Sequence, residues 1–318
     1  MEKTHIKNQK INKMNKIEGL IAAPFAPVDK KGRLVYDRIP AYFDLLSKNK
    51  IAGAFINGST GEGVSLSQTE KAKITEMWAA QKPKNKELKI INLVGGTSYV
   101  ECIEAAQMSA QVGADAIAIL APYYFKPGNA GQLAEFCAKI AESVQEMPVY
   151  FYHIPVLTGC NVSMFDFLKA ASPMIPNLVG IKYTHEDFMD FQTCLNFENE
   201  KYDMLWGRDE NLLSALVLGA RGGVGSTYNY AAPLYYQLIE AFYKGDLPQA
   251  RNLQQLSINM IRLLGKYGGI ATGKAYMKYI GFDCGEFRLP IKNMTAESFD
   301  AFEKDVKALG MEKWFSTI

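Results

Sequence analysis

The sequence predicts a single (β/α)8 barrel with additional helices at its C-terminus. Three observations lead there. Eight short apolar runs, each followed by a loop and a helical pattern, repeat from Ile17 to about residue 230 with short connections. The chain has 318 residues, 48% of them hydrophobic, enough for the roughly 250 residues such a barrel takes. The competing architecture, a doubly wound open sheet, would carry its ligand at a switch point, and no G-x-G-x-x-G follows the first run.

The elements follow in order. Gly19 to Ala23 is the first strand, closed by Pro24; residues 37–49 form a helix whose apolar face is Ile39, Tyr42, Phe43, Leu45 and Leu46. Ile51 to Asn57 is the second strand and runs into Gly58-Ser59-Thr60-Gly61-Glu62-Gly63. Ser67 and Glu70 stand at capping-box spacing and open a helix to about residue 82. Lys89 to Val94 is the third strand. Its helix, about 98–112, ends at Gly113, a C-cap signal. Ala116 to Ala121 and Pro148 to Ile154 are the fourth and fifth strands, with helices at about 130–145 and 163–172. The sixth strand is Asn177 to Thr184, followed by a helix over 186–199; the seventh is Asp203 to Trp206, with a short helix to Leu218. Gly222 to Thr227 supplies the eighth strand and its loop. Helical patterns at 233–243, 247–265, 271–281 and 296–309 complete the chain. The domain reading is a basic leader at 1–16, the barrel at 17–230, and outside-packed helices at 231–318.

A formal net charge of +2 gives no reason to expect nucleic acid or an acidic surface as partner. The basic excess is local: residues 1–16 hold Lys3, Lys7, Lys10, Lys13 and Lys16 against Glu2, so residues 17–318 carry −2. That leader lacks the apolar centre of a signal peptide and reads as disordered. No stretch is long and apolar enough to span a membrane. Five widely spaced cysteines with no C-x-x-C argue against disulfides and structural zinc and suit a reducing cytoplasm. Three histidines without ligand spacing give no metal site.

In such barrels reactive groups gather at the C-terminal ends of strands. The sixth strand sets Lys182 near its end. A desolvated ammonium is costly there, and desolvation that lowers its pKa leaves a nucleophilic amine. Alternation places Gly180, Lys182 and Thr184 on one face and Val179, Ile181 and Tyr183 on the other. The bland reading is a lysine snorkelling from a strand end. Ser59 and Thr60 lie between glycines, so their turn reads either as a receptor for a small carboxylate or as a tight turn before a helix cap. Tyr152 faces inward by alternation, where a phenol near Lys182 could relay a proton. His153 then faces outward as a structural, hydrogen-bonded residue. Tyr123 and Tyr124 read as packing or interface residues. Asp209 and Glu210 suit a polyhydroxylated ligand or simply begin a helix. The loop with Gly225, Ser226 and Thr227 could instead hold phosphate, with Arg208 and Arg221 as nearby cations. A buried lysine that condenses with a ketone makes an imine that is an electron sink, the logic of a cofactor-free class I aldolase.

Gly58-Ser59-Thr60-Gly61-Glu62, Tyr152-x-x-Pro155, Gly180-Ile181-Lys182 and Gly225-Ser226-Thr227, in this order, resemble the N-acetylneuraminate lyase and dihydrodipicolinate synthase superfamily. Lys182-Tyr183-Thr184, Gly207-Arg208-Asp209-Glu210 and Gly225 to Asn229 are most similar to its sialic acid lyase side. Where the synthases place an arginine two residues after the Y-x-x-P proline, this chain has Leu157. The resemblance implies a cytoplasmic homotetramer, a dimer of dimers, that cleaves N-acetylneuraminate to pyruvate and N-acetylmannosamine without cofactor. It implies Lys182 as Schiff-base nucleophile, Tyr152 as the group taking the C4 hydroxyl proton, and Tyr124 as a reach into a neighbouring subunit's site. Ser59 and Thr60 would hold the carboxylate, and Thr184, Gly207, Asp209, Glu210 and Ser226 the hydroxylated chain. The alternatives are another pyruvate-dependent aldolase, dehydratase or synthase, of the 2-keto-3-deoxy sugar acid or dihydrodipicolinate type, or a barrel of this kind that only senses its ligand.

Overall fold

The computed structural model describes residues 16–318; of the basic leader, residues 1–15 lie outside the described residues. Eight parallel strands close on themselves in chain order, β1 pairing with both β2 and β8. They are β1 Gly19–Ala22, β2 Gly53–Ile56, β3 Lys89–Leu93, β4 Ala116–Leu120, β5 Val149–His153, β6 Leu178–Tyr183, β7 Asp203–Trp206 and β8 Gly222–Gly225. Every predicted strand is present, trimmed by a residue or two at most ends. The outer ring holds α1 Ile39–Lys48, α2 Gln68–Ala79, α3 Tyr99–Gln111, α4 Ala130–Ala141, the single turn α5 Pro155–Thr158, α6 Met164–Ala171, α7 Phe188–Asn196 and α8 Leu212–Leu218. The chain continues through α9 Tyr228–Tyr243, α10 Leu247–Lys266, α11 Ala271–Tyr279 and α12 Ala296–Ala308. No helix among the described residues is long and apolar enough to cross a membrane.

Local chemistry accounts for the boundaries. The Ser67 side chain accepts from Glu70 N while Glu70 accepts from Ser67 N, so two otherwise orphaned amides at the start of α2 are satisfied. Gly113, at φ +82°, lets the chain leave α3 in the left-handed region. Helix α9 begins five residues before the predicted start. Pro233 has no N–H for Asn229 and its ring crowds that turn, so Ala231 departs from helical geometry and the helix continues across a kink.

Period two sorts each strand between two cores. Ile21, Phe55, Ile91, Leu93, Ala116, Ala118, Leu120, Tyr150, Tyr152, Leu205 and Val224 fill the barrel's interior. Their neighbours, such as Ala22, Ala54, Ile90, Ile117, Phe151, Ile181, Tyr183 and Trp206, meet the helices outside. One predicted face is wrong. Val179 packs against the interior cluster, not with Ile181 and Tyr183. The register between β5 and β6 shifts at Val149/Tyr150, where Leu178 pairs with Val149 and Gly180 with Tyr150. Val179 is the extra residue of a β-bulge, and such a residue breaks alternation. Gly180 is where the bulge closes: a Cβ there would stand 2.0 Å from Asp203 O.

Candidate active site

The site is assembled from the inside-facing residues at the C-terminal rim. Lys182 points into the barrel and is buried. Its Nζ lies 3.9 Å from the ring centres of both Phe55 on β2 and Tyr152 on β5. Among the described residues it has no salt bridge. Burial brings its pKa from 10.5 down to about 7, with the Asp209 carboxylate pulling the other way. A substantial fraction of the amine is therefore unprotonated at neutral pH, and its lone pair is open to an electrophile.

Tyr152 is buried beside it. Burial raises its phenol above the ordinary value, while the hydroxyls of Ser59 and Thr184 next to it act in the opposite sense. Thr184 Oγ1 is itself buried beside the Tyr152 hydroxyl and makes no well-formed hydrogen bond among the described residues, which leaves it open to a ligand hydroxyl or carboxylate. It sits against Gly207: a Cβ on that glycine would lie 1.9 Å from Thr184 Oγ1. Gly207 thus makes room for the hydroxyl, a role its sequence motif does not spell out.

Asp209 occupies the far side. Its Oδ2 accepts from Thr227 N at 3.0 Å and from Thr227 Oγ1 at 2.6 Å. Burial raises its carboxyl to about 6 against the effect of Thr227, with Glu210 adding to the rise and Lys182 opposing it. Gly225 lets it approach, since a Cβ there would stand 1.9 Å from Asp209 Oδ1. Behind it, Thr227 Oγ1 is joined to the Tyr235 hydroxyl at 2.7 Å, and that to Ser257 Oγ at 2.8 Å. Glu210 is half-buried and 3.4 Å from Arg208, which also pairs with Glu186 at 3.0 Å. Ser226 anchors its loop through its carbonyl, which accepts from Asn229 Nδ2 at 2.8 Å.

Ser59 and Thr60 stand in a turn closed by Glu62 N donating to Ser59 O and Gly63 N donating to Gly58 O, both at 3.1 Å. The amides of Ser59 and Thr60 make no hydrogen bond among the described residues, so they remain available to an anion. The turn bears its own strain signature: Asn57 and Glu62 both have positive φ, +56° and +58°. A Cβ on Gly63 would lie 1.9 Å from Asn57 O.

The remaining candidates fall elsewhere. Tyr124 is 77% exposed on the loop after β4, edge-on to the equally exposed Phe125, so it does not join the other residues within one chain. His153 faces outward, as expected, but its ring lies against Tyr183 and His185. The expected hydrogen bond to its ring is not present among the described residues, and burial with His185 nearby lowers it to about 4. Arg221 belongs to the opposite end of the barrel, before β8, where it meets Glu18 and Glu200. With Arg208 already held by two acids, the phosphate reading of the eighth loop loses both of its cations. Sequence reasoning gave no role to Phe55, placed Thr227 only in the eighth loop as a ligand-binding hydroxyl and not as the partner of Asp209, and counted Asn229 only within that loop's motif. Phe55 could have been found from the alternation of β2, which turns it inward with Lys182. Asn229 carries no such signal; it ties the eighth loop to Ala23 O at 2.7 Å and accepts from Tyr42 at 2.8 Å.

The described residues contain no group of three or more metal-ligating side chains suited to an ion. The arrangement is a buried amine, a phenol beside it, a turn with free amides, and a carboxylate with hydroxyls.

The model of the dihydrodipicolinate synthetase family matches residues 16–309. N-acetylneuraminate lyase of Rattus norvegicus is 38% identical over 300 residues, which cover 92% of this chain and 93% of the relative. That of Gallus gallus is 40% identical over 286 residues, 89% and 92% of the two chains. The solved N-acetylneuraminate lyase of Proteus mirabilis superposes with a TM-score of 0.89 at 37% identity, over 93% of this chain and 99% of its own. With the family's pattern running through almost the whole described chain and the barrel closed around Lys182, this protein belongs to the dihydrodipicolinate synthetase family.

Proposed function

We propose that this protein is a class I aldolase that cleaves N-acetylneuraminate to pyruvate and N-acetylmannosamine. One observation carries the reading: the Lys182 amine is buried between two aromatic rings at the barrel's mouth, its pKa brought to about 7, with no carboxylate among the described residues bound to it. The similarity to lyases of that name favours the sugar acid over other keto acids. Leu157, 63% exposed at the rim, offers no charge to a second carboxylate, which speaks against a synthase of the dihydrodipicolinate type.

In this mechanism the substrate carboxylate sits on the amides and hydroxyls of Ser59 and Thr60. Lys182 adds to the C2 ketone and water leaves, giving a protonated imine. As the C3–C4 bond breaks, the neutral Tyr152 phenol accepts the C4 hydroxyl proton while passing its own proton on along the relay, and the electron pair of the broken bond flows into the imine to leave an enamine. The aldehyde formed is N-acetylmannosamine. Protonation of the enamine at C3 and hydrolysis return pyruvate and the free amine. Thr184, Gly207, Asp209, Glu210 and Ser226 bind the hydroxylated chain. Tyr124 completes the proton relay from a neighbouring subunit, which makes a homotetramer part of the reading. Buried, widely spaced thiols suit a cytoplasmic setting.

Pyruvate release from N-acetylneuraminate, with the parent protein and Lys182→Ala side by side, tests this. Release from the parent that vanishes in the variant is expected. A parent that releases none rejects the substrate, and a variant with full rate rejects the nucleophile.

A further inference from the structure

The turn that carries Ser59 and Thr60 is held from behind by the C-terminal part of the chain. Glu62, within the turn, is buried. Its Oε1 accepts from Lys274 Nζ at 2.8 Å, in an ion pair whose side chains are 3% and 4% exposed. Its Oε2 accepts from Arg288 N at 2.8 Å. Lys274, on α11, also donates to Glu286 O at 2.7 Å and lies 4.4 Å from the ring centre of Phe287. Arg288 spans the other end of the same loop: its guanidinium takes Glu70 of the α2 capping box at 2.8 and 2.5 Å and donates to Ser65 O and Gly32 O. Residues 286–288 therefore grip the chain from Glu62 to Glu70.

A buried ion pair is poor value as a stabiliser, because two charges lose their water. This one is spent on a turn that needs holding: Asn57 and Glu62 are in the left-handed region, which non-glycine residues enter at a cost.

We propose that Lys274 and Glu62 are positioning residues that fix the Ser59–Thr60 turn, so that the affinity for the keto-acid carboxylate is set by the C-terminal helices. The inference rests on the imine chemistry proposed for Lys182. Its contribution lies in carboxylate binding and not in bond breaking, so substitutions should act on half-saturation more than on turnover.

The test is borohydride trapping of pyruvate on the full-length protein as a function of pyruvate concentration, with cleavage kcat and KM measured alongside. Lys274→Met takes the cation away from Glu62, and should raise half-saturation tenfold or more while kcat falls by less than threefold. Glu62→Gln keeps the shape but offers one acceptor to two donors; it should shift half-saturation in the same direction by a smaller factor, and it serves if Lys274→Met does not fold. The pair Lys274→Met with Glu62→Met removes both charges and should recover part of the loss. Half-saturation equal to the parent's in folded Lys274→Met or Glu62→Gln overturns the inference while leaving the aldolase reading intact. A parent that traps no pyruvate at all overturns that reading, and this inference with it.

Discussion

Replacing Lys182 by methionine should abolish turnover and make the protein more stable at neutral pH. The unfolded lysine keeps its proton up to about 10.5, whereas the folded one gives it up at about 7. Between these values unfolding takes up a proton, so stability falls as pH drops from 10.5 and is lower by a constant amount below 7. The gap converts at about 1.4 kcal/mol per pH unit into a penalty of roughly 5 kcal/mol at pH 6.5 and about 1 kcal/mol at pH 9.5. Methionine fills the lysine's stem and keeps contact with Phe55 and Tyr152 at no ionic cost. Losing the attraction between the ammonium and the two rings returns about 1–2 kcal/mol, so a net gain of about 3–4 kcal/mol is expected at pH 6.5. Urea unfolding of parent and variant at one protein concentration, at pH 6.5 and 9.5, measures it. The gain should shrink by more than half at the higher pH. A variant no more stable than the parent at pH 6.5, or a gain that ignores pH, would refute the account of Lys182 as a desolvated amine.

Two further substitutions separate roles within the site. Tyr152→Phe keeps the ring against Lys182 and removes the hydroxyl; trapping of pyruvate should survive while cleavage slows by about 10²–10⁴, and an unchanged cleavage rate removes Tyr152 from the proton path. Gly207→Ala would set a Cβ 1.9 Å from Thr184 Oγ1 and force that hydroxyl aside, raising KM for the sugar acid about tenfold or more. Gly265→Ala, on α10 with nothing within 4 Å of the added carbon, is the control and should leave KM unchanged.

The strands were readable because a strand buried on both faces has few ways to be written: apolar runs of four to six residues bounded by glycine, proline or polar turns. The same alternation put Tyr152 inward near Lys182, and applied to β2 it would have turned Phe55 inward as well. Alternation failed at Val179 because a bulge depends on how β5 and β6 meet, which neither strand's own sequence states. The start of α9 was hidden because a proline usually marks a boundary, and here the helix crosses one at the cost of a kink. Glu62 was visible in its motif but its purpose was not. Lys274 and Arg288 lie more than two hundred residues away in sequence, and only the closed barrel brings them to the turn.

The two ends of the barrel bear on why we propose Lys182, and not another buried ionisable group, as the reactive one. Asp203, at the opposite end of the interior, is as thoroughly buried as Asp209, and burial likewise raises it to about 6. It is, however, closed off: its Oδ2 accepts from Tyr150 Oη at 2.7 Å and from Ile17 N at 3.0 Å. Two directed donors compensate the lost hydration and leave nothing for a ligand to gain. Lys182 is buried too, yet among the described residues its Nζ has no hydrogen bond or salt bridge and lies against two ring faces, which attract an ammonium weakly and take none of its hydrogen bonds. The barrel thus binds a buried carboxylate with directed donors at one end and leaves a buried amine without a protein hydrogen-bond partner, among the described residues, at the other. The unsatisfied end is where a carbonyl carbon can offer the amine a covalent bond in place of the solvent it has lost.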